Sequence, residues 1–135
     1  MTDPALVAKK LAAIETALAD LRRLAQPERL TTDLLQRRFV EHTLQIAIQA
    51  SLDVASHIVS DNRLGEPRTH REVFALLAQA GWIDATLLDS LSRMVGFRNI
   101  LVHGYDDIDL DVVRDVLECR LTDLETFVAA IRARC

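Results

Sequence analysis

The sequence is poor in aromatic residues and cysteine. Aromatic residues make up only 4% of its 135 residues, so the apolar half of the chain consists mainly of Leu, Ala, Val and Ile. The only two cysteines, Cys119 and Cys135, lack the spacing of a metal site or a redox motif, and two free thiols are typical of a reducing cytoplasm. We therefore expect one cytoplasmic domain, residues 1–135, with an aliphatic core.

Long apolar runs and an excess of positive charge are also absent. No stretch approaches the roughly 20 apolar residues that span a bilayer, and the N-terminus has no signal-peptide core, so we expect no membrane partner. The net charge of −4 argues against a broad nucleic-acid surface but leaves room for a small phosphate pocket. Arginine outnumbers lysine by 14 to 2, which suits phosphate binding, although a compositional bias of the genome would give the same ratio.

Every regular pattern in the chain has the period of an α-helix. Asp3 caps a first helix that ends before Pro27, and a second segment without Gly or Pro runs from about residue 32 to residue 60. A short helix opens with the capping-box sequence THRE and stops at Gly81. The fold class we predict is all-α, an up-and-down bundle of four to five helices.

The last two predicted helices flank the polar segment GFRNILVHGYDDID, residues 96 to 109. Asp84 is positioned to cap the first of them, Gly96 could bend it, and Gly104 ends it. Aspartates of the segment, Asp109 among them, are expected to cap the final helix, which continues to about Ile131.

The second helix carries an unusual polar line. His42, Gln45, Gln49 and Asp53 recur at helical spacing, and between residues 40 and 60 the only acidic or basic side chains are Glu41 and Asp53. A solvated face normally carries Lys, Arg and Glu, so this line favours a partly buried cleft or an interface between helices. An exposed face rich in Ala and Gln is the alternative. We take Gln49 and Asp53 as candidates that line a cleft.

Arg98 and His103 are the candidate reactive residues of the polar segment. They lie five positions apart, or about 140° around a helix, so they could flank one phosphate most readily if a second copy of the chain completes the pocket. Arginine offers a permanent charge and a bidentate fork, and histidine moves protons near neutral pH. A phosphodiester of RNA carries its own nucleophile, the 2′-hydroxyl, so a base and a cation suffice, and the histidines show no metal-ligand spacing. By spacing alone, however, Arg98 could be a surface ion-pair partner and His103 a helix-terminal histidine.

The segment RNILVHGY resembles the Arg-x4-His-x-Tyr signature of HepT-like toxins in the HEPN ribonuclease superfamily. The resemblance extends over about residues 30 to 131, since IAIQASLDVASHIV, REVFALLAQAGWID, MVGFRNILVHGYDDID and LTDLETFVAAI look like that family in order and spacing. It implies a metal-independent endoribonuclease toxin that needs no cofactor and places the motifs of two chains in one cleft of a homodimer.

The resemblance also assigns roles to single residues. Arg98 would hold the phosphate, His103 would transfer protons, and Asn99 would bind substrate or orient the histidine. A nucleotidyltransferase antitoxin of the MNT type is the implied partner, and it would neutralise the toxin by transferring AMP to Tyr105. The alternative is a non-catalytic helical module that binds a nucleotide or a partner's phosphate in the same pocket.

Overall fold

The structure is a computed structural model that describes residues 3–103 and 108–135. The helices are α1 (Pro4–Leu24), α2 (Leu34–Asp61), α3 (His70–Gln79), α4 (Ala85–His103), α5 (Leu110–Asp115) and α6 (Leu121–Arg132), with a 3-10 turn at Pro27–Arg29. A π-helical turn, Val116–Arg120, joins α5 to α6 without a break, so these three pieces form one helical body. The described residues thus form five helical bodies and no strand, which confirms the predicted all-α class.

Side-chain caps begin most of these helices where the sequence predicts them. The Asp3 carboxylate accepts hydrogen bonds from two backbone N–H groups of the first turn of α1, and Asp84 accepts one from Leu87 at the start of α4. Asp109 accepts one from the N–H of Asp111 at the start of α5. Each bond satisfies a donor that the first turn of a helix leaves unpaired, so these boundaries are set locally. The second helix starts two residues later than expected because its cap is Asp33.

Capping hydrogen bonds define both ends of helix α3. Thr69 accepts the N–H of Glu72 at 3.2 Å, and the Glu72 carboxylate accepts the backbone N–H of Arg68, which makes a capping box displaced by one residue. At the other end, Trp82 donates to the carbonyl of Leu77 and Gly81 donates to that of Ala78. This is a Schellman motif, and Gly81 adopts the left-handed φ of 81° that it requires.

The helices pack in an antiparallel arrangement around an aliphatic core. Lys10 of α1 reaches Asp53 near the end of α2, and Glu15 of α1 pairs with Arg132 of α6 at 2.9 Å. Inside, the rings of Phe74 and Phe127 meet edge to face at 5.9 Å between centroids. The buried side chains of α2 include a continuous apolar face, namely Val40, Leu44, Ala47, Ile48, Leu52, Ala55 and Val59. No helix of the described residues is long and apolar enough to cross a bilayer.

Helix α4 runs without interruption through Gly96, the position considered for a bend. The space that a side chain would occupy there is taken by the guanidinium of Arg71, which extends from α3. A Cβ atom added to Gly96 would lie 2.8 Å from Nη2 of Arg71, closer than side-chain atoms normally approach. The absence of a side chain at Gly96 therefore allows Arg71 of α3 to contact α4.

Candidate functional site

Arg98 lies partly buried on α4 and is held by neutral groups. Its Nη2 donates a hydrogen bond of 2.6 Å to Oε1 of Gln49 on α2, and its Nη1 donates to Oδ1 of the neighbouring Asn99 at 3.2 Å. No carboxylate pairs with Arg98 within residues 3–103 and 108–135, so a surface ion pair finds no partner among those residues. Its buried Nε–H has no acceptor among those residues, at a cost of about 1–3 kcal/mol. Arg98 thus has an N–H hydrogen-bond donor that the described residues leave without an acceptor.

A chain of polar contacts continues from Gln49 across to α1. The Gln49 amide donates from Nε2 to Oδ1 of Asp53 at 3.0 Å, and the other carboxylate oxygen, Oδ2, lies 3.1 Å from Nζ of Lys10. We call Lys10, Asp53, Gln49 and Arg98 the polar chain. It links α1, α2 and α4, and it brings the predicted cleft residues Gln49 and Asp53 to the predicted catalytic arginine.

The polar chain fixes which way the Gln49 amide faces. A carboxylate only accepts hydrogen bonds and a guanidinium only donates them, so the NH₂ group must face Asp53 and the oxygen must face Arg98. The amide also separates the two charges. Asp53 is paired with Lys10, and Arg98 is oriented without being neutralised by a carboxylate of the described residues. An oriented, uncompensated guanidinium is suited to hold a phosphodiester.

A cleft lies alongside the polar chain. It encloses about 280 Å³ between α1 and α2. Its lining consists of Lys10, Ala13, His42, Gln45, Ile46, Gln49, Ala50 and Asp53. The polar line of α2 therefore faces this cleft, and Ile46 at its edge is 43% exposed. His57, farther along α2, is not among the lining residues, and its Nε2 lies 3.0 Å from Oδ2 of Asp61.

His103 is the last residue of α4 and is exposed. No hydrogen bond or ion pair holds its imidazole in the described part of the chain, and none joins it to Arg98. Asn99 is also exposed, one turn before His103. Tyr105, the expected acceptor of AMP, lies outside the described residues. One chain therefore supplies an oriented arginine and an accessible histidine without joining them in one hydrogen-bonded pair.

Two charged residues near the polar line of α2 were not singled out as site residues from the sequence. Lys10 was missed because it belongs to α1, and its contact with Asp53 spans 43 positions of the chain. Glu41 is only 9% exposed, and burial raises the pKa of its carboxyl, although the charges of Arg38 and Arg37 act in the opposite direction. An acidic residue within an otherwise uncharged stretch was the available signal for Glu41.

The described residues contain no group of three His, Cys, Asp or Glu side chains arranged to hold a metal ion. The chemical groups that they do bring together are a guanidinium, an amide and an ion pair between a lysine and an aspartate. The arrangement is suited to binding an anion.

Comparison with known proteins finds relatives that match most of the chain. The family described as ribonuclease HepT-like matches residues 14–131. The chain is 34% identical over 129 residues to the mRNA nuclease HepT of Shewanella oneidensis, covering 95% of this chain and 97% of that protein. It is 32% identical over 98 residues to the tRNA nuclease HepT of Aphanizomenon flos-aquae, covering 73% and 67% of the two chains.

A solved structure gives the same result for the fold. The structure of the tri-AMPylated HEPN toxin of Shewanella oneidensis, in complex with its MNT antitoxin, superposes with a TM-score of 0.90 at 34% identity. The match covers 99% of this chain and all of the other. The chain belongs to the HepT-like family of ribonucleases.

Proposed function

We propose that this chain is the toxin of a toxin–antitoxin pair and an endoribonuclease that cleaves RNA with Arg98 and His103. The observation that carries the proposal is the hydrogen bond from Arg98 to the neutral Gln49 amide, which orients the guanidinium and leaves its charge for a phosphodiester. The nuclease names of the relatives support the same reaction. The two exposed free thiols, Cys119 and Cys135, support a cytoplasmic location.

The reaction follows from the groups present. His103 removes the proton of a ribose 2′-hydroxyl, and that oxygen forms a bond to the adjacent phosphorus. The bond from phosphorus to the 5′-oxygen of the next nucleotide breaks, and that oxygen takes a proton from a protonated imidazole or from water. Arg98 holds the phosphoryl oxygens as their negative charge increases. The products are a 2′,3′-cyclic phosphate and a 5′-hydroxyl, and because the nucleophile belongs to the RNA, no step requires a metal ion.

The active unit is a homodimer. Arg98 leans toward α2 while His103 is exposed at the end of α4, so the histidine of a second chain can reach a phosphate bound by the arginine of the first. The partly exposed Ile46 beside the cleft supports the same conclusion, since contact with a second chain would cover it. Sedimentation equilibrium at micromolar concentration should give twice the mass of 15.1 kDa, and a monomer would contradict the dimer.

The activity is switched off by a nucleotidyltransferase of the MNT type. The Tyr105 oxygen attacks the α-phosphorus of ATP, the bond to the β-phosphate breaks, and pyrophosphate leaves as the hydroxyl proton is lost. Each AMP adds a phosphodiester charge two residues from His103, where it competes with substrate for Arg98. The AMPylated toxin of Shewanella oneidensis supports this mechanism. Mass spectrometry after co-expression should detect added AMP, and Tyr105→Phe should abolish it.

Cleavage of labelled RNA in the presence of EDTA tests the proposal. The wild type should cut, and Arg98→Ala and His103→Ala should each lose activity by at least about 100-fold. The matched control is Arg23→Ala, which removes the same charge from an exposed arginine of α1 that pairs with Asp20. Cleavage retained in both site variants would overturn the assignment. Tight nucleotide binding by a wild type that cuts no RNA would instead favour the non-catalytic module.

A further inference from the structure

Arg71 forms an unusual contact with the helix that carries the motif. It lies in the first turn of α3, and its guanidinium rests on α4 at Gly96, where an added Cβ would lie 2.8 Å from Nη2 and 4.0 Å from Cζ. Any larger residue at position 96 would have to displace this group. The pair of Arg71 and Gly96 therefore holds a second guanidinium against the helix of Arg98 and His103.

Arg71 has no carboxylate partner within residues 3–103 and 108–135. Six of the ten other exposed arginines do pair with an acidic side chain of the described residues. The pairs are Arg22–Glu125, Arg23–Asp20, Arg29–Asp33, Arg93–Asp89, Arg120–Asp115 and Arg132–Glu15. Arg71 is exposed and keeps its charge and its hydrogen-bond donors available.

The position of Gly96 puts this free charge on the same side of α4 as His103. Seven residues of an α-helix make nearly two turns, so the two positions lie almost on one line, about 10 Å apart along the axis. Asn99 lies between them on the same exposed side. Arg98 points away from this line, toward Gln49 of α2. The exposed line of α4 therefore starts at the Arg71 guanidinium and ends at the catalytic imidazole.

We propose that Arg71 binds a backbone phosphate of the RNA that flanks the phosphate being cleaved. The inference rests on the proposed ribonuclease function and extends it to a second phosphate. Positions 96 and 103 are about 10 Å apart along the axis, so Arg71, which lies over Gly96, and His103 suit two phosphates of one strand lying along α4 better than a single phosphate. Such a contact positions the strand and contributes affinity without reading the base sequence.

Steady-state kinetics on a short single-stranded RNA separates this role from catalysis. Arg71→Ala should raise KM about 3- to 10-fold and leave kcat within twofold, because the flanking phosphate is bound equally before and during the reaction. The slope of log(kcat/KM) against log salt should become less steep by about 0.7, the value for one phosphate contact with a single strand. Arg23→Ala is the control for loss of one charge elsewhere. A KM and a salt slope equal to those of Arg23→Ala would overturn the proposal.

Two further substitutions make the test specific. Gly96→Ala leaves Arg71 in the chain but pushes its guanidinium off the helix, and alanine is the better helix former, so a raised KM could not come from unfolding. In the substrate, a neutral methylphosphonate placed in turn at each flanking position should weaken binding by the wild type at one position only. Arg71→Ala should be insensitive at that position. Equal sensitivity of the two proteins would count against Arg71.

The failure of this inference is distinguishable from failure of the proposed function. If the wild type cuts RNA while Arg71→Ala matches the control, only the flanking-phosphate role is lost. If the wild type cuts nothing, the ribonuclease proposal fails, and fluorescence anisotropy with the same RNA then decides about Arg71. Weaker binding by Arg71→Ala than by Arg23→Ala supports the phosphate contact, and equal binding overturns it.

Discussion

The amide oxygen of Gln49 accepts a 2.6 Å hydrogen bond from Nη2 of Arg98, which joins the middle of α2 to the motif helix α4. This contact turns the arginine toward the cleft side of the bundle and leaves its charge intact. In the proposed reaction, Gln49 would therefore act by positioning Arg98.

Removing the amide should lower turnover. We expect Gln49→Leu to reduce kcat by about 10- to 100-fold with little change in fold, because a small displacement of a positioning group has effects of this size. The control is Gln45→Leu, one turn earlier on the same cleft, since Gln45 makes no hydrogen bond to Arg98. Single-turnover cleavage and far-UV circular dichroism measure the two properties. Equal losses in both variants would contradict a specific role of Gln49.

Replacing Asp53 should affect the orientation of the Gln49 amide more than the free energy of unfolding. In Asp53→Asn, the new side chain can both donate and accept, so the Gln49 amide can turn and present its NH₂ group to Arg98. We expect cleavage to fall about 3- to 10-fold, and the unfolding free energy to fall by less than about 1 kcal/mol, because the pair with Lys10 is more than one third exposed.

The Lys10→Met variant is to be compared with Asp53→Asn. It removes the same ion pair but leaves the carboxylate to fix the Gln49 amide, so cleavage should stay close to that of the wild type. Urea denaturation and cleavage assays on both variants check this. If Lys10→Met were the more damaging variant for cleavage, the ion pair rather than the amide would control Arg98.

Glu41 should make stability depend on pH. Burial raises the pKa of its carboxyl above the ordinary value of 4.5, so the folded protein binds the proton more tightly than the unfolded chain does. Stability from this group is therefore complete below about pH 4.5 and is lost as pH rises through the folded pKa. We expect Glu41→Gln to be more stable than the wild type at pH 7, with the difference vanishing in acid.

Thermal unfolding at a series of pH values measures the Glu41 effect. The control is Glu66→Gln, which alters an exposed glutamate of the loop between α2 and α3. If the difference in stability between the wild type and Glu41→Gln were the same at pH 4 and pH 7, protonation of the Glu41 carboxyl would not be coupled to folding.

Gly81 should tolerate substitution poorly because its backbone is left-handed. With φ at 81°, alanine there should cost about 1 kcal/mol and lower Tm by about 4 °C. Gly96→Ala is the informative comparison, since Gly96 lies within α4 and the atoms it would meet belong to the end of a flexible arginine. Calorimetry should show a lower Tm for Gly81→Ala and no comparable loss of Tm for Gly96→Ala. A similar loss of Tm in both would argue against the backbone explanation.

The helices were predictable because their boundaries are local. Asp3, Thr69 and Asp84 each bind backbone groups two or three residues away, so the sequence alone contains the signal. The site was only partly predictable. Gln49 was singled out by an uncharged stripe, but its pairing with Arg98 is separated by 49 positions and depends on how α2 and α4 pack.

Two other features lay beyond sequence reasoning for related reasons. Gly96 was considered only as a possible bend in α4, since a glycine within a helix gives no sign of a neighbouring side chain that fills its space. The π-helical turn Val116–Arg120 leaves the apolar pattern of the last helix almost unchanged, so that helix was predicted without an interruption. In both cases the decisive contact or backbone geometry is not encoded in residue spacing.

The polar chain also limits how far the N-terminal helix can influence Arg98. The orientation of Arg98 depends on Gln49, that of Gln49 on Asp53, and Asp53 is paired with Lys10 of α1. A chain in which α1 has detached from the bundle would lose the contact of Lys10 with Asp53 but keep the carboxylate that fixes the Gln49 amide. Partial unfolding at the N-terminal end of the protein would therefore leave the orientation of Arg98 in place.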